Sequence, residues 1–201
     1  MYIQITTKCN MACEHCGMNC DTISGEHMDF KTFKAALRHD DTITIGGGEP
    51  TVHPHFEKFL LYALTNCYSV FIITNGKLTD KALAIARLAE MDDERFGAEL
   101  SQDPYHDPID DVVIDAFKGR IRDTSRNLIN AGRCDFGWTE DCICEEAIVK
   151  PNGDIHQCGC DDSPKVGTVF DDQILPLGSN EEDYGEWICH KKMEEMEEME
   201  D

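Results

Sequence analysis

The chain has 201 residues, 41% of them apolar, enough for one medium domain or a domain with a small module. Its 18 Lys and Arg face 40 Asp and Glu, a formal net charge of -22, and such a surface repels phosphate backbones, which argues against tight non-specific nucleic-acid binding. No apolar run approaches the roughly 20 residues of a membrane span, and no leader is expected ahead of the opening "YIQITT". Eleven cysteines without a secretory signal point to metal or catalysis in a reducing compartment, so the chain is expected to be cytoplasmic.

Strand-like and helix-like segments alternate along the first half. "YIQITT" alternates apolar and polar residues and predicts a strand. Phe30 to His39 predicts a helix with Phe30, Phe33 and Leu37 on one face. "TITIGGGEP" is a strand running into a glycine turn, and His53 to Asn66 is helical. "SVFIITNG" is a buried strand, Thr79 to Met91 a helix, "FGAELS" a fourth strand and Asp110 to Phe117 a short helix. Such repeats imply a parallel sheet, with functional residues past the carboxyl ends of its strands. From about Cys134 the texture changes: "EEAIVKPNGDIHQCGC" predicts two short strands around a Pro-Asn-Gly-Asp turn. The final "KKMEEMEEMED" is a charge run expected to be a solvated helix end.

Cys9, Cys13 and Cys16 follow the first strand, separated by three residues and then two. An odd set of thiols is not a disulfide framework, and a structural zinc site wants four ligands in a closed shell. Three thiolates on a four-iron cluster leave one iron open for a ligand. At the end of the second strand, Gly46, Gly47 and Gly48 offer a bare backbone before Glu49 and Pro50. Cys67, at the end of an apolar helix, is expected to be a packed thiol, and Cys20, four residues past the triad, a free surface or packed thiol, with a redox partner as the alternative.

In this order and at these strand ends, the cysteine triad and the "GGGEP" turn resemble the radical S-adenosylmethionine (radical SAM) enzyme family. The resemblance covers residues 1 to about 105. It implies an α/β fold, a partial barrel of parallel strands over residues 1–130, shortened because no clear fifth-strand adenine motif is visible. It implies a [4Fe–4S] cluster on Cys9, Cys13 and Cys16, with S-adenosylmethionine on the fourth iron. Reductive cleavage of that sulfonium would give a 5′-deoxyadenosyl radical that abstracts hydrogen from a substrate. Cofactor contacts are implied for His15 near the adenine and for Gly47, Gly48 and Glu49 at the methionine amino group. They are also implied for Thr74 and Asn75 at the third strand end, and for Ser101 and Asp103 at the fourth. A side chain at Gly48 is expected to intrude on the methionine end.

The second cysteine group contains Cys142, ten residues, Gly153, four residues and Cys158. That spacing, with "VKPNGDIHQC" and "GTVFDD", resembles the SPASM and twitch modules that carry auxiliary clusters in the family. It implies a cysteine-rich β-hairpin module over 131–190, a charged tail over 191–201, and a second [4Fe–4S] cluster. The expected ligands are Cys142, Cys158, Cys160 and Cys189, with Cys134 and Cys144 in reserve. A zinc ribbon remains the alternative for this region. The expected partners are an electron donor such as flavodoxin or ferredoxin, and a peptide, amino-acid-like or nucleobase substrate. A non-catalytic zinc or iron–sulfur docking module is the competing class, and it has no reason to keep the "GGGEP" turn.

Overall fold

The computed structural model describes residues 1–137, 146–160 and 163–171. Five parallel strands build its centre: β1 (Tyr2–Thr6), β2 (Thr42–Gly47), β3 (Ser69–Thr74), β4 (Phe96–Ser101) and β5 (Ile121–Arg122). Between them run α1 (Phe30–Ala36), α2 (Phe56–Asn66), α3 (Thr79–Met91) and α4 (Asp111–Ala116). Three short strands follow, β6 (Ile148–Val149), β7 (Asp154–His156) and β8 (Lys165–Thr168). All eight form one sheet in the order β5-β4-β3-β2-β1-β6-β7-β8. β6 runs parallel to β1, whereas β6–β7 and β7–β8 are antiparallel. Strands β6 to β8 thus extend the sheet from the free side of β1.

The strand period of two divides the sheet into two working faces. Ile3, Ile5, Ile43, Ile45, Val70 and Ile72 are buried in the core that the helices cover, with Phe33 and Phe59. Their alternates Tyr2, Thr44, Phe71 and Ile73 line a cavity on the other face. One row crosses that face: Ile148, Tyr2, Thr44, Phe71 and Gly97 are register partners in turn. Gly97 is what lets Phe71 lie flat in the row, since a Cβ there would come within 2.5 Å of the ring.

Element boundaries differ from the sequence pattern for local reasons. α1 starts where the Asp29 carboxylate accepts the Thr32 N–H at 2.7 Å. It ends at Ala36 rather than His39 because the Arg38 and His39 amides drop to bonds from three residues back. Their side chains then reach the Val169 carbonyl. α2 begins at Phe56 rather than His53, since Pro54 biases the residue before it away from the helical region; His53 has ψ 129°. A 3-10 turn over Pro50–Val52 takes up the preceding residues. β5, which carries no strand pattern in its two residues, exists through its pairing with Leu100 and Ser101.

Phe33 and Phe59 stack with ring centroids 4.5 Å apart, both fully buried beneath β1 and β2. Phe59→Ala should therefore lower the free energy of unfolding by about 3–5 kcal/mol. A shift below 1 kcal/mol in urea denaturation, on the same order as an exposed substitution, would contradict this packing.

Candidate functional site

The three thiols of the triad come together at the carboxyl end of β1. Cys9, Cys13 and Cys16 line a narrow cavity of ≈ 160 Å³ that also takes in Gly47, Gly48, Asn75 and Ser101. A wider cavity of ≈ 570 Å³ shares Tyr2, His15, Cys16, Gly47, Ser101 and Arg122 with it. Its volume lies in the range that holds a cofactor-sized ligand, roughly 300–1,000 Å³. Every residue expected at the first four strand ends falls on or beside this cleft.

The glycine turn is explained by the approach of β1. A Cβ on Gly46 would lie 1.9 Å from the Tyr2 Oη, and the Gly47 N–H donates to that hydroxyl at 3.0 Å. Burial pushes the Tyr2 phenol above its ordinary pKa, so it stays protonated. Gly47 has φ +153°, and a Cβ there would meet the Thr6 carbonyl at 2.4 Å. A Cβ on Gly48 would meet the Lys8 carbonyl at 2.4 Å, so a side chain at this position collides with the triad loop before it reaches any ligand. This clash within the protein comes in addition to the expected intrusion on the methionine end.

Glu49 is fully buried and acts as a tie between strands. Its Oε1 accepts from the Thr51 N–H, the Thr51 hydroxyl and the Thr74 hydroxyl, and its Oε2 accepts from the Asn75 N–H at 2.7 Å. Burial outweighs these donors and holds its carboxyl above the usual range. Asn75 passes the tie on. Its Nδ2 donates to Asn10 Oδ1 at 2.8 Å and to Cys9 Sγ at 3.6 Å. The side chains of Glu49 and Thr74 thus hold the scaffold, and that of Asn75 holds the triad loop.

A second clamp closes from the far side. The Arg133 guanidinium donates to the carbonyls of Cys13 and Cys20, and its N–H donates to the Cys16 carbonyl at 3.0 Å. Gly132, with φ +57°, lets this turn pack close to the triad loop: a Cβ there would lie 2.6 Å from the Cys16 carbonyl oxygen. In the protein alone, burial pushes the Cys9 and Cys13 thiols up to about 11. Cys16, hydrogen-bonded by Cys20, is lowered to about 6. A thiolate set of this kind therefore needs the positive charge of bound metal to ionise fully.

Asp103 organises the opposite wall. Its carboxylate accepts from the Tyr105 N–H at 3.0 Å and the Thr124 hydroxyl at 2.8 Å. His106 Nδ1 lies 2.8 Å from one oxygen and His15 Nε2 3.2 Å from the other. Burial alone raises Asp103, but the bonds from Thr124 and His106 bring it below its ordinary value. Burial lowers His15, so the hydrogen-bond network assigns its proton to Nε2 and leaves Nδ1 as an acceptor. That Nδ1 is buried and has no hydrogen-bond partner among the described residues. His15, Asp103 and His106 bring three ligand atoms within 4.8 Å of one another, a spacing that also suits a metal ion.

The structure adds residues the sequence reading did not single out. His106 was within reach of it, three residues beyond Asp103 at the same strand end. Tyr2, Arg122 and Arg133 carried no signal, because only tertiary contact brings them to the cleft. Of the second cysteine group, Cys158 and Cys160 are each 2% exposed, packed with Ala131, and Cys160 lines the wider cavity together with Cys16. Cys134 is also buried, in a bridge with Ala131. Cys142, Cys144 and Cys189 lie outside the described residues.

The sequence profile of the Radical SAM superfamily matches residues 3–123. Among curated proteins, the chain is 31% identical over 147 residues to the mycofactocin maturase MftC of Mycobacterium ulcerans, covering 66% of this chain and 37% of that protein. It is 36% identical over 101 residues to the tungsten-containing aldehyde ferredoxin oxidoreductase cofactor-modifying protein of Pyrococcus furiosus, covering 45% of this chain and 27% of the other. It is 34% identical over 84 residues to an S-adenosylmethionine-dependent nucleotide dehydratase of Selenomonas ruminantium, covering 38% and 29%. The chain therefore spans between 27% and 37% of the length of these relatives.

The Glu49 tie has a pH signature. Its folded pKa is raised above the ordinary value of 4.5, so its contribution is fully present below that value and is lost as pH rises through the folded pKa. Glu49→Gln should remove this decline. Denaturation midpoints compared between pH 5 and pH 8 check it, and parallel curves for wild type and variant would contradict the assignment.

Proposed function

The chain belongs to the radical SAM superfamily, and from that premise we propose that it is an enzyme that cleaves S-adenosylmethionine reductively and abstracts hydrogen from a peptidyl or amino-acid-like group. The observation that carries this reading is the convergence of Cys9, Cys13 and Cys16 with Gly47 and Gly48 on one cavity at the carboxyl edge of the parallel sheet. The donor set fits the family's cluster: three thiols on one short loop, two of which, Cys9 and Cys16, receive backbone N–H bonds. The [4Fe–4S] cluster and S-adenosylmethionine, when bound, supply the one-electron cleavage chemistry.

The remaining work belongs to the chain. Cys9, Cys13 and Cys16 hold the cluster. The backbone at Gly47, Gly48 and Glu49 faces the cavity and receives the methionine end. Thr74 and Asn75 keep that turn and the triad loop in register. His15, with Ser101 and Asp103, borders the cofactor from the other wall. Met11 and Met18 complete the lining and limit water beside the reacting centre. In this reading strands β1 to β5 are the shortened partial barrel. The electron comes from a flavodoxin or ferredoxin, and the enzyme works in the cytoplasm. No helix among the described residues is long and apolar enough to cross a membrane.

The module over 131–190 is read as a SPASM- or twitch-like extension with a second [4Fe–4S] cluster on Cys142, Cys158, Cys160 and Cys189, and 191–201 as its charged tail. The place of Cys160 on the wider cavity supports a role for this module beside the substrate. One relative is named a maturase, an enzyme that modifies a precursor, which is compatible with this reading. A second reading, a nucleobase or nucleotide substrate, is favoured by Arg122. This residue lines both cavities and makes no ion pair among the described residues, and one relative is named a nucleotide dehydratase.

Anaerobic incubation of the reconstituted protein with S-adenosylmethionine and dithionite tests the reading. Wild type should form 5′-deoxyadenosine and Cys13→Ala should form none; undiminished product from a Cys9, Cys13, Cys16 triple alanine variant would sink it. Replacing Cys142 and Cys158 together should remove about four irons per chain and leave that cleavage intact. Stoichiometric zinc in the wild type with about four irons in total would favour the zinc ribbon.

A further inference from the structure

The outer face of α1 and α2 carries a group of cations that the cleft does not use. Lys31, Lys34 and Lys58 are exposed and make no ion pair among the described residues. Aromatic rings hold them instead. Lys58 Nζ lies 3.8 Å from the centroid of the Phe30 ring, and Lys34 Nζ lies 5.4 Å from the same centroid. Lys31 Nζ lies 5.6 Å from the centroid of Phe170. Two ammonium groups on one ring stand within a Debye length of each other, about 10 Å at 0.1 M salt, so they repel. The acids nearest in sequence are committed. Asp29 caps α1 at the Thr32 N–H, Glu57 pairs with Lys81 at 3.0 Å, and Asp171 accepts the Thr168 N–H at 2.8 Å.

Apolar surface adjoins this charge. Leu61, 68% exposed, follows Lys58 by three residues on α2 and lies on its face. Tyr62 packs edge-on against Phe30 with centroids 5.1 Å apart, and Phe170 is 47% exposed. The face is thus an apolar strip rimmed by cations. Its complement is a segment that is acidic and also carries apolar side chains.

The chain contains one such segment. Residues 193–201 read "MEEMEEMED", a methionine at every third position with six acids among them. Methionine is unbranched and adapts to irregular apolar surface. The described residues run to Asp171 beside this same face: the Val169 carbonyl meets Arg38 and His39, and Phe170 lies under Lys31. Residues 172–192 then separate Asp171 from Met193, a tether that reaches up to ~70 Å when extended. Such a tether holds the segment at an effective concentration on the order of millimolar. A separate acidic protein present at micromolar levels competes poorly with it. We propose that the segment 193–201 docks on the basic face of α1 and α2 in the same chain, its acids against Lys31, Lys34 and Lys58 and its methionines against Phe30 and Leu61.

The test is zero-length carbodiimide coupling of the full, anaerobically reconstituted chain in low salt, read by mass spectrometry of the monomer. Glu194, Glu195, Glu197 and Glu198 should be joined to Lys31, Lys34 or Lys58 in excess over Lys118, an exposed lysine beyond α4. The excess should shrink at about 1 M salt, where the Debye length is about 3 Å. Lys34→Glu with Lys58→Glu should lower the links to Lys31 about fivefold. Adding Glu194→Lys with Glu197→Lys should restore coupling between the two segments. Equal yields at Lys31 and Lys118, or a yield at Lys31 unmoved by the charge reversal, overturns the proposal. Coupling found only between heavy- and light-isotope chains in a mixed sample overturns it as well and assigns the face to a second copy. Coupling of these lysines to a co-purifying acidic protein in place of the segment has the same force.

Discussion

One buried carboxylate links the parts of this site. Glu49 has no exposure to water and accepts hydrogen bonds from Thr51, Thr74 and Asn75. Through it the end of β2 is fastened to the end of β3. Asn75, so fastened, reaches Asn10 and the Cys9 sulfur. A desolvated carboxyl is expensive unless its oxygens are bonded, and here the donors that satisfy it are the groups that must be in register. The same glutamate therefore couples the stability of the sheet to the placement of the thiol loop.

Backbone proximity is the second constraint. Gly46, Gly47 and Gly48 each face a different part of the chain around β1: the Tyr2 ring, the Thr6 carbonyl and the Lys8 carbonyl. The three are required by contact within the protein, whatever lies in the cavity. With the turn at Gly132 and the Arg133 guanidinium pressing from the other side, the loop from Cys9 to Cys20 is gripped at both edges. Its thiols are thus oriented by main-chain and side-chain contacts on rigid strand ends, the arrangement that metal chemistry demands of its ligands.

The sheet serves two ends at once. Its helix-covered face supplies the packed core of Ile, Val and Phe residues that stabilises the fold. Its other face carries Tyr2, Thr44, Phe71 and Ile73 as the floor of the cleft, with Asp103, His15 and His106 on one wall. In a chain of net charge -22, Arg122 and Arg133 stand in this cleft beside the acidic Glu49 and Glu146.

The order of strands and helices, the parallel sheet and the residues at the first four strand ends were legible in the sequence. These depend on local periodicity, turn chemistry and short-range spacing, which a linear reading contains. Cys9, Cys13 and Cys16 stood out through their spacing taken together with the glycine turn at the next strand end. What the turn's glycines touch, and that Glu49 and Thr74 hold each other, depended on β1, β2 and β3 lying side by side. The places of Tyr2, Arg122 and Arg133 in the cleft were decided by tertiary structure. Arg133 acts on a carbonyl 120 residues away, and no pattern in a neighbourhood of sequence encodes a partner at that separation. β5 has two residues and no pattern of its own, and it is a strand only because β4 offers it an edge. The sequence by itself determined which residues have the chemistry; packing decided which of them meet, because a hydrogen bond depends on distance and angle, which spacing constrains only within one element.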